Sequence, residues 1–310
     1  MKPPKAPSKT GVVLVDKPAG MTSHDVVSRL RRALGERRVG HAGTLDPMAT
    51  GLLVGLVGEA TKLEPYVASA SKSYVAAITL GRSTDTLDAE GATTEVADLA
   101  PWLEAELAAG ATGDLDRAPR VRAALDTLQA RTHQVPPAHS AIHVDGTRSY
   151  ELARRGVAVA LPPRPAKLLT CEWLPTVTGV EGPTIHVFAH VEKGFYVRSF
   201  ARDLCELLEV PGHLSALRRT ASGGFRLEDA TPLESVGSAR LLSLEAALER
   251  AGVPLVALSE VDAEHVRHGR ALPPRAELVG TVALLGPSGR LLAVADASER
   301  AIRVSRGFSG

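Results

Sequence analysis

The chain has 310 residues, of which 44% are hydrophobic and 23% charged, so it can bury the core of one large or two smaller domains. Its two cysteines, Cys171 and Cys205, have no paired spacing, which excludes a disulfide scaffold and a cysteine-based zinc site. Residues 1–10 carry charge without a hydrophobic segment, which excludes a signal peptide and predicts a disordered basic tail. No apolar run is long enough to cross a bilayer, and we expect a cytoplasmic protein.

The first third of the chain predicts a strand, a helix, a loop and a second strand. The β-branched run at 11–16 predicts a buried strand. Ser23 is the predicted N-cap of a helix that Gly35 closes. The pattern then predicts a loop over 40–51, a strand over 52–57 and a helix over 60–67.

The middle of the chain mixes strands and helices. Alternation is clearest over 184–192, and a helix over 195–208 places Tyr196 and Arg198 at its start. The predicted elements are strands over 73–80, 166–173 and 184–192, and helices over 121–130, 149–155 and 195–208. This order favours an α+β fold rather than a doubly wound sheet.

The C-terminal part is short and β-rich. Strands are predicted over 278–285, 291–295 and 301–304, with a Gly-Pro-Ser-Gly turn between the first two. We therefore expect a main domain over 11–245 and a small β-rich domain over 255–310.

The net charge of +1 conceals an uneven distribution along the chain. Nine acidic residues and no Lys or Arg lie between Asp85 and Asp116. The remainder carries 36 basic against 26 acidic residues, an excess of ten, and Arg outnumbers Lys by 28 to 8. These Arg residues form a phosphate-binding surface only where the fold brings them to one side, and a compositional bias toward Arg explains the count equally well.

One loop carries a carboxylate in a distinctive setting. Asp46 lies in the glycine-rich loop over 40–51, and Pro47 pushes it away from helical torsions. An ionised carboxylate on a stiff loop beside a core is suited to act as a nucleophile or a base. The alternative is an Asx-type turn in which Asp46 only caps the backbone, and the pattern alone favours this turn.

Sequence motifs of other enzyme classes and of metal sites fit this chain poorly. It contains no P-loop, no Gly-x-Gly-x-x-Gly after a strand and no Gly-x-Ser-x-Gly elbow. His133, His139 and His143 lie in a proline-containing loop, where surface histidines are more common than metal ligands.

Several blocks in fixed order resemble the bacterial tRNA pseudouridine-55 synthases, the TruB family. The longest is Gly-His-Ala-Gly-Thr-Leu-Asp-Pro-Met-Ala-Thr-Gly at 40–51. The blocks lie at 16–23, 40–51, 58–62, 72–74, 81–91, 134–137, 140–141, 194–199 and 217–220. The resemblance therefore covers about residues 11 to 225 and is weak beyond them.

The resemblance implies both a fold and a reaction. The fold has a central mixed, largely antiparallel sheet flanked by helices, with a small PUA-like domain at the C-terminus. The reaction isomerises uridine 55 in the T arm of tRNA, which requires the base to be flipped out, detached and rejoined through carbon. The family needs no cofactor and no metal, and we expect a monomer whose partner is tRNA and not a membrane.

The resemblance also assigns roles to residues. Asp46 is the catalytic carboxylate, Arg198 pairs with it and favours its ionised form, and Tyr74 stacks on the uracil and can handle a proton. His41 is implied to insert into the space that the flipped-out bases leave. The other implied substrate-binding residues are Tyr196, Lys17, Leu217 and Asp85. Lys17 supports either the loop or a nearby phosphate.

Four positions depart from the family pattern, namely Phe195, His139, His143 and Cys205. None removes a catalytic group. Phe195, His139 and His143 leave open the alternative of a non-catalytic RNA-binding or tRNA-folding protein on the same fold. The acidic stretch continues beyond the family block at 81–91, and we expect its variable part to face away from the RNA.

Overall fold

The computed structural model of the protein describes residues 9–140, 142–144, 147–149, 161–175 and 182–309. The predicted tail over 1–10 lies outside the described residues except for its last two, and the predicted helix over 149–155 does so except for Ser149. The helices are α1 (Ser23–Leu34), α2 (Glu64–Val67), α3 (Pro101–Ala109), α4 (Pro119–Ala130), α5 (Val197–Leu207), α6 (Leu244–Arg250) and α7 (Glu260–Arg267).

The strands include all those that the sequence predicts. They are β1 (Gly11–Lys17), β2 (Val39–Ala42), β3 (Thr50–Val57), β4 (Lys72–Leu80), β5 (Arg82–Thr84), β6 (Thr93–Val96), β7 (His133–Gln134), β8 (His143–Val144), β9 (Thr147–Arg148), β10 (Arg164–Pro165), β11 (Leu168–Leu174), β12 (Thr184–Val191), β13 (Gly212–Ser222), β14 (Phe225–Arg226), β15 (Thr231–Pro232), β16 (Leu255–Ala257), β17 (Gly280–Leu285), β18 (Leu291–Ala297) and β19 (Ile302–Gly307).

The chain forms two compact units, residues 1–70 with 221–310 and residues 71–220. In the first unit β3 pairs antiparallel with β1 and with β2, and β15 joins β1 in parallel. Helix α1 lies against this sheet through its apolar face, and their shared core includes Val15, Val27, Leu30 and Leu53. The sheet is thus mixed, as expected.

The start of α1 differs from the prediction by one residue. Thr22, not Ser23, is the N-cap, and it forms a capping box with Asp25. The Thr22 hydroxyl accepts the Asp25 N–H at 3.1 Å, while the Asp25 carboxylate accepts the Thr22 N–H at 2.9 Å. Gly35 closes the helix in the left-handed conformation at φ 67°, as predicted.

The first unit also contains a four-stranded sheet in the order β16-β17-β18-β19. It has a core of its own, to which α7 contributes Ala263 and Val266 and the strands contribute Val282 and Ala295. A small β-rich C-terminal element is therefore confirmed, whereas the domain boundaries at 245 and 255 stay predictions.

The second unit is built on the antiparallel strands β11, β12 and β4, with β13 beside β4. Ile185, Val187, Ala189 and Val191 alternate on the buried face of β12, as the sequence predicts. The sequence analysis did not predict β13, which with 11 residues is the longest of the described strands, and it assigned most of β2 to the loop over 40–51. No helix among the described residues is long and apolar enough to span a membrane.

Candidate active site

The Asp46 loop is held by its backbone on both sides of the carboxylate. Before Asp46, the Ser23 hydroxyl accepts the Leu45 N–H at 2.9 Å and donates to the Leu45 carbonyl at 3.2 Å. After Asp46, the Pro47 carbonyl accepts the Gly20 N–H at 3.0 Å. The Asp46 carbonyl itself accepts the Ala49 N–H at 3.1 Å, which closes a turn. These bonds fix the position of Asp46, and its side chain remains partly exposed.

Lys17 completes the support of this loop from a fully buried position. Its ammonium donates to the carbonyls of Pro47 at 3.1 Å, Met21 at 2.6 Å and Pro18 at 3.0 Å. Lys17 is 0% exposed, so of its two expected roles these contacts favour loop support over a phosphate contact. Its assignment as a substrate-binding residue stays a prediction.

His41 lies on β2, opposite Gly55 of β3. Its ring meets that of His24 edge to face, with ring centroids 5.9 Å apart. His24 is exposed on α1 and His41 is half-buried, so the pair lies near the surface of the first unit. The insertion of His41 into RNA stays a prediction.

In the second unit, Gln134 fixes the start of α5 and with it Tyr196. The Gln134 side-chain oxygen accepts the Tyr196 N–H at 2.9 Å, and its amide nitrogen donates to the Tyr196 carbonyl at 3.0 Å. One turn on, the Ser199 hydroxyl donates to the Val135 carbonyl at 2.8 Å. The segment at 134–137 is therefore the support of the helix that carries Arg198, a role that sequence reasoning missed although the segment is one of the family blocks.

Arg198 is buried, and several acceptors hold its guanidinium. It donates to the Thr86 carbonyl at 3.1 Å and to the His139 carbonyl at 3.0 Å. Its Nε lies 3.6 Å from Oδ2 of Asp88. The other oxygen of Asp88 accepts the Thr86 hydroxyl at 2.6 Å and the Glu90 N–H at 3.1 Å. Asp88 thus orients Arg198, and the sequence analysis did not single it out within the block at 81–91.

Asp85 belongs to the same loop but stands apart from these contacts. It is exposed, and its Oδ1 accepts the Ala92 N–H at 2.9 Å. Leu87, between the two aspartates, has a positive φ of 65°, a conformation that costs a non-glycine residue about 1–3 kcal/mol. Such strain is found where the surroundings determine the backbone, and here the loop presents the Thr86 carbonyl to Arg198. Substrate binding by Asp85 stays a prediction.

Tyr74 and Leu217 lie on neighbouring strands of the second unit. Tyr74 is on β4 opposite Ala189, and Leu217 is on β13; each is 7% exposed. Stacking of the target base on Tyr74 and its contact with Leu217 stay predictions. Among the described residues, no group of three or more His, Cys, Asp and Glu side chains could hold a metal ion.

Phe195, one of the departures from the family pattern, packs against Phe200 of α5 with ring centroids 6.2 Å apart. Cys205 is buried further along that helix, and burial raises its pKa to about 12. Both positions are apolar packing sites in the structure.

Comparison with known proteins identifies two family models along the chain. The model described as TruB family pseudouridylate synthase (N terminal domain) matches residues 31–197. The model described as tRNA Pseudouridine synthase II, C terminal, matches residues 253–308.

Curated relatives match nearly the whole chain. A protein named tRNA pseudouridine synthase B from Corynebacterium efficiens is 43% identical over 93% of this chain and 92% of its own. One of the same name from Thermobifida fusca is 44% identical over 92% of this chain and 94% of its own.

Solved structures share the fold at lower identity. The structure of an H/ACA RNP bound to a substrate RNA containing 2'-deoxyuridine has a TM-score of 0.68 at 22% identity, covering 97% of this chain and 86% of the other. A Cbf5-Nop10-Gar1 complex has a TM-score of 0.68 at 23% identity, covering 97% and 85%. Together with the sheets described above, these matches confirm the predicted fold class.

Proposed function

The chain belongs to the TruB family of pseudouridylate synthases, and from that membership we propose that it isomerises uridine 55 in the T arm of tRNA to pseudouridine, with Asp46 as the catalytic carboxylate. The observation that carries the proposal is the identity of 43–44% to relatives named tRNA pseudouridine synthase B over more than nine tenths of the chain. The reaction makes the protein an isomerase that acts on tRNA.

The geometry of the first unit supports the role of Asp46. Bonds to Leu45, Pro47 and the Asp46 carbonyl hold the loop before any RNA arrives. A carboxylate that is already held in place loses no further conformational entropy before it reacts. Orientation contributes to catalysis in this way. Both possible roles of Asp46, attack on the base and deprotonation of the sugar, benefit from a carboxylate that is held in place.

The groups that would receive the base are assigned by the resemblance to the family. Flipping the base out of a folded T arm costs a few kcal/mol, and stacking on an aromatic ring returns about 1–3 kcal/mol. Tyr74 is the ring proposed for this stacking, with Leu217 and Tyr196 beside the same base. Arg198, oriented by Asp88, would pair with Asp46 and favour its ionised form.

The proposal is tested with unmodified tRNA labelled with tritium at uracil C5. The protein should release tritium, and Asp46→Asn should abolish release while it still binds tRNA, because only the reacting group is lost. Asp98→Asn, an exposed residue of the acidic stretch, is the matched control and should keep full turnover. Normal turnover by Asp46→Asn would refute the role of Asp46.

The same assay distinguishes the proposed isomerase from the non-catalytic alternative. A tRNA-folding protein would bind tRNA with a steep salt dependence and release no tritium from any tRNA. Pseudouridine mapping in cells with and without the gene identifies the modified position, and we expect loss at uridine 55 alone.

Two finer expectations belong to this proposal. We infer that the protein works as a monomer in the cytoplasm, where tRNA is modified. Sedimentation of the protein with and without tRNA would show one chain per tRNA, and a stable dimer would contradict the first expectation.

A further inference from the structure

Helix α1 carries exposed polar and basic residues along the side that lies beside β2. Its buried face is apolar and consists of Val26, Val27, Leu30 and Leu34. His24, Ser28 and Arg31 follow one another at spacings of four and three residues, so they line one side of the helix next to that face. All three are exposed. This side of the helix, formed by His24, Ser28 and Arg31, is called the β2 flank of α1 below.

Two contacts hold the β2 flank against the strand. At one end the ring of His24 meets the ring of His41 edge to face, with centroids 5.9 Å apart. At the other end Nη2 of Arg31 donates to the Val39 carbonyl at 3.0 Å. Seven residues separate His24 from Arg31, which is about 10 Å along a helix axis. The flank therefore runs beside β2 over that distance, starting at His41.

The two sides of α1 differ in their charge. Arg29 lies about 160° round the helix axis from Arg31. It shares its side with Asp25, one turn earlier, and with Glu234, which borders the same cavity. Within the described part of the chain, no carboxylate forms an ion pair with Arg31, and the Val39 carbonyl takes one of its five N–H donors. The guanidinium of Arg31 thus keeps donors for a phosphate, which it can bind through two parallel hydrogen bonds.

The acids near the two ends of α1 are engaged in local contacts. The Asp25 carboxylate accepts the Thr22 N–H at 2.9 Å and the Thr22 hydroxyl at 2.7 Å. Glu36 is half-buried, and its Oε1 accepts the Arg38 N–H at 3.0 Å. Arg38 is a further exposed cation at this end, and its Nε donates to the Thr61 hydroxyl at 2.7 Å. The exposed charge around the β2 flank is therefore positive.

His41 links the β2 flank to the RNA. In the proposed function, His41 inserts into the space that the flipped-out bases leave. RNA carries one phosphate for every nucleotide, so bases around the inserted ring bring phosphates close to the elements that border it. Helix α1 is such an element, because His24 contacts the His41 ring.

We propose that the β2 flank of α1 binds backbone phosphates of the RNA strand into which His41 inserts, with Arg31 as the phosphate contact. The inference rests on the proposed function, since tRNA is the ligand. It adds α1 to the elements that bind the substrate, and it directs the RNA backbone along the helix from His24 toward Arg31.

The first experiment measures the dissociation constant of an unmodified tRNA transcript at several salt concentrations. Arg31→Met removes one phosphate contact and should reduce the slope of log K against log salt by about 1. A contact with that slope, lost near 1 M salt, is worth about tenfold in affinity at 0.1 M salt. The loss should appear in Kd and KM more than in kcat. Arg29→Met removes the same charge from the other side of α1 and should change the affinity less than about twofold.

A second variant leaves Arg31 and its bond to Val39 in place. Ser28→Asp puts a carboxylate between His24 and Arg31, where it would repel the phosphates. It should weaken tRNA binding at least about tenfold at 0.1 M salt, and less as the salt concentration rises. Ala33→Asp is the matched control, because it puts the same charge at an exposed site beside the cavity on the other side of α1. Its affinity should stay within about twofold of the wild type.

Three outcomes would overturn the inference. Ser28→Asp could bind tRNA as tightly as the wild type, or Arg29→Met and Arg31→Met could lose affinity equally, which would indicate only a general effect of charge. Arg31→Met could also weaken binding with an unchanged salt slope, which would indicate a structural effect through β2. None of these outcomes affects the proposed function, which instead fails if the wild-type protein releases no tritium. Wild-type affinity and normal turnover in Arg31→Met and Ser28→Asp would remove the phosphate surface and leave the isomerase standing.

Discussion

At the scale of single residues, the structure identifies Asp88 as a position that the sequence analysis did not single out. Its carboxylate and the guanidinium of Arg198 are 5% and 8% exposed and face each other at 3.6 Å. Removing one partner of a buried ion pair costs about 3–5 kcal/mol. We expect Asp88→Asn to lower the free energy of unfolding in urea by about 3 kcal/mol and kcat at least tenfold, with tRNA affinity little changed.

Asp85 provides the matched control for the stability part of this prediction. It stands three residues away in the same loop, is exposed, and accepts one backbone N–H, from Ala92. Asp85→Asn should cost about 1 kcal/mol, the usual value of one hydrogen bond. Equal losses of stability in the two variants would show that the loop as a whole, and not the Asp88–Arg198 pair, positions the guanidinium.

At the scale of elements, α4 begins without an N-cap side chain of its own. Its N-cap is Ala118, and the carboxylate of Glu106 on α3 accepts the Arg120 and Val121 N–H groups, each at 3.0 Å. An acceptor here satisfies two unpaired donors and meets the positive end of the helix dipole. Glu106→Ala should therefore lower the free energy of unfolding by about 1–2 kcal/mol.

Glu104→Ala is the control for the α4 cap, because Glu104 lies two residues earlier on α3 and is exposed. Its effect should stay within about 0.5 kcal/mol, as for most surface substitutions. Hydrogen exchange should show faster exchange at the start of α4 in the Glu106 variant only. If that region exchanged as in the wild type, the cap would contribute nothing.

Elements with clean apolar alternation, such as β12, could be predicted from the sequence, and so could β4 and α5, which carry Tyr74 and Arg198, whereas β2 and β13 could not. In β13, the polar residues Arg219 and Ser222 occupy fully buried positions. The strand therefore lacks the apolar alternation from which a strand is predicted. β2 lies in a glycine-rich motif whose composition indicates a loop. At the site, the roles predicted for Asp46, Tyr74 and Arg198 come from the resemblance of the blocks to the family, but the contacts of Ser23, Gln134 and Asp88 depend on tertiary folding that no local pattern encodes.

At the scale of the whole molecule, the acidic stretch divides into a part that contacts Arg198 and an exposed remainder. Asp85 and Asp88 belong to the loop at Arg198, and Asp88 is buried there. Further along, the acidic residues become exposed, namely Glu95, Asp98, Glu104, Asp114 and Asp116. The excess of ten positive charges in the rest of the chain is then available to phosphates if these exposed carboxylates lie away from the RNA.

Neutralising three of these carboxylates tests this separation. Surface charges farther from the RNA than the Debye length of about 10 Å at 0.1 M salt are screened. The triple variant Asp98→Asn, Glu104→Gln, Asp114→Asn should therefore bind unmodified tRNA within about twofold of the wild type at 0.1 M salt, with an unchanged salt slope. If these residues instead lined the RNA path, removing three repulsive charges would tighten binding tenfold or more, most strongly at low salt. That result would place the variable acidic segment beside the RNA and assign it a role in selecting the substrate.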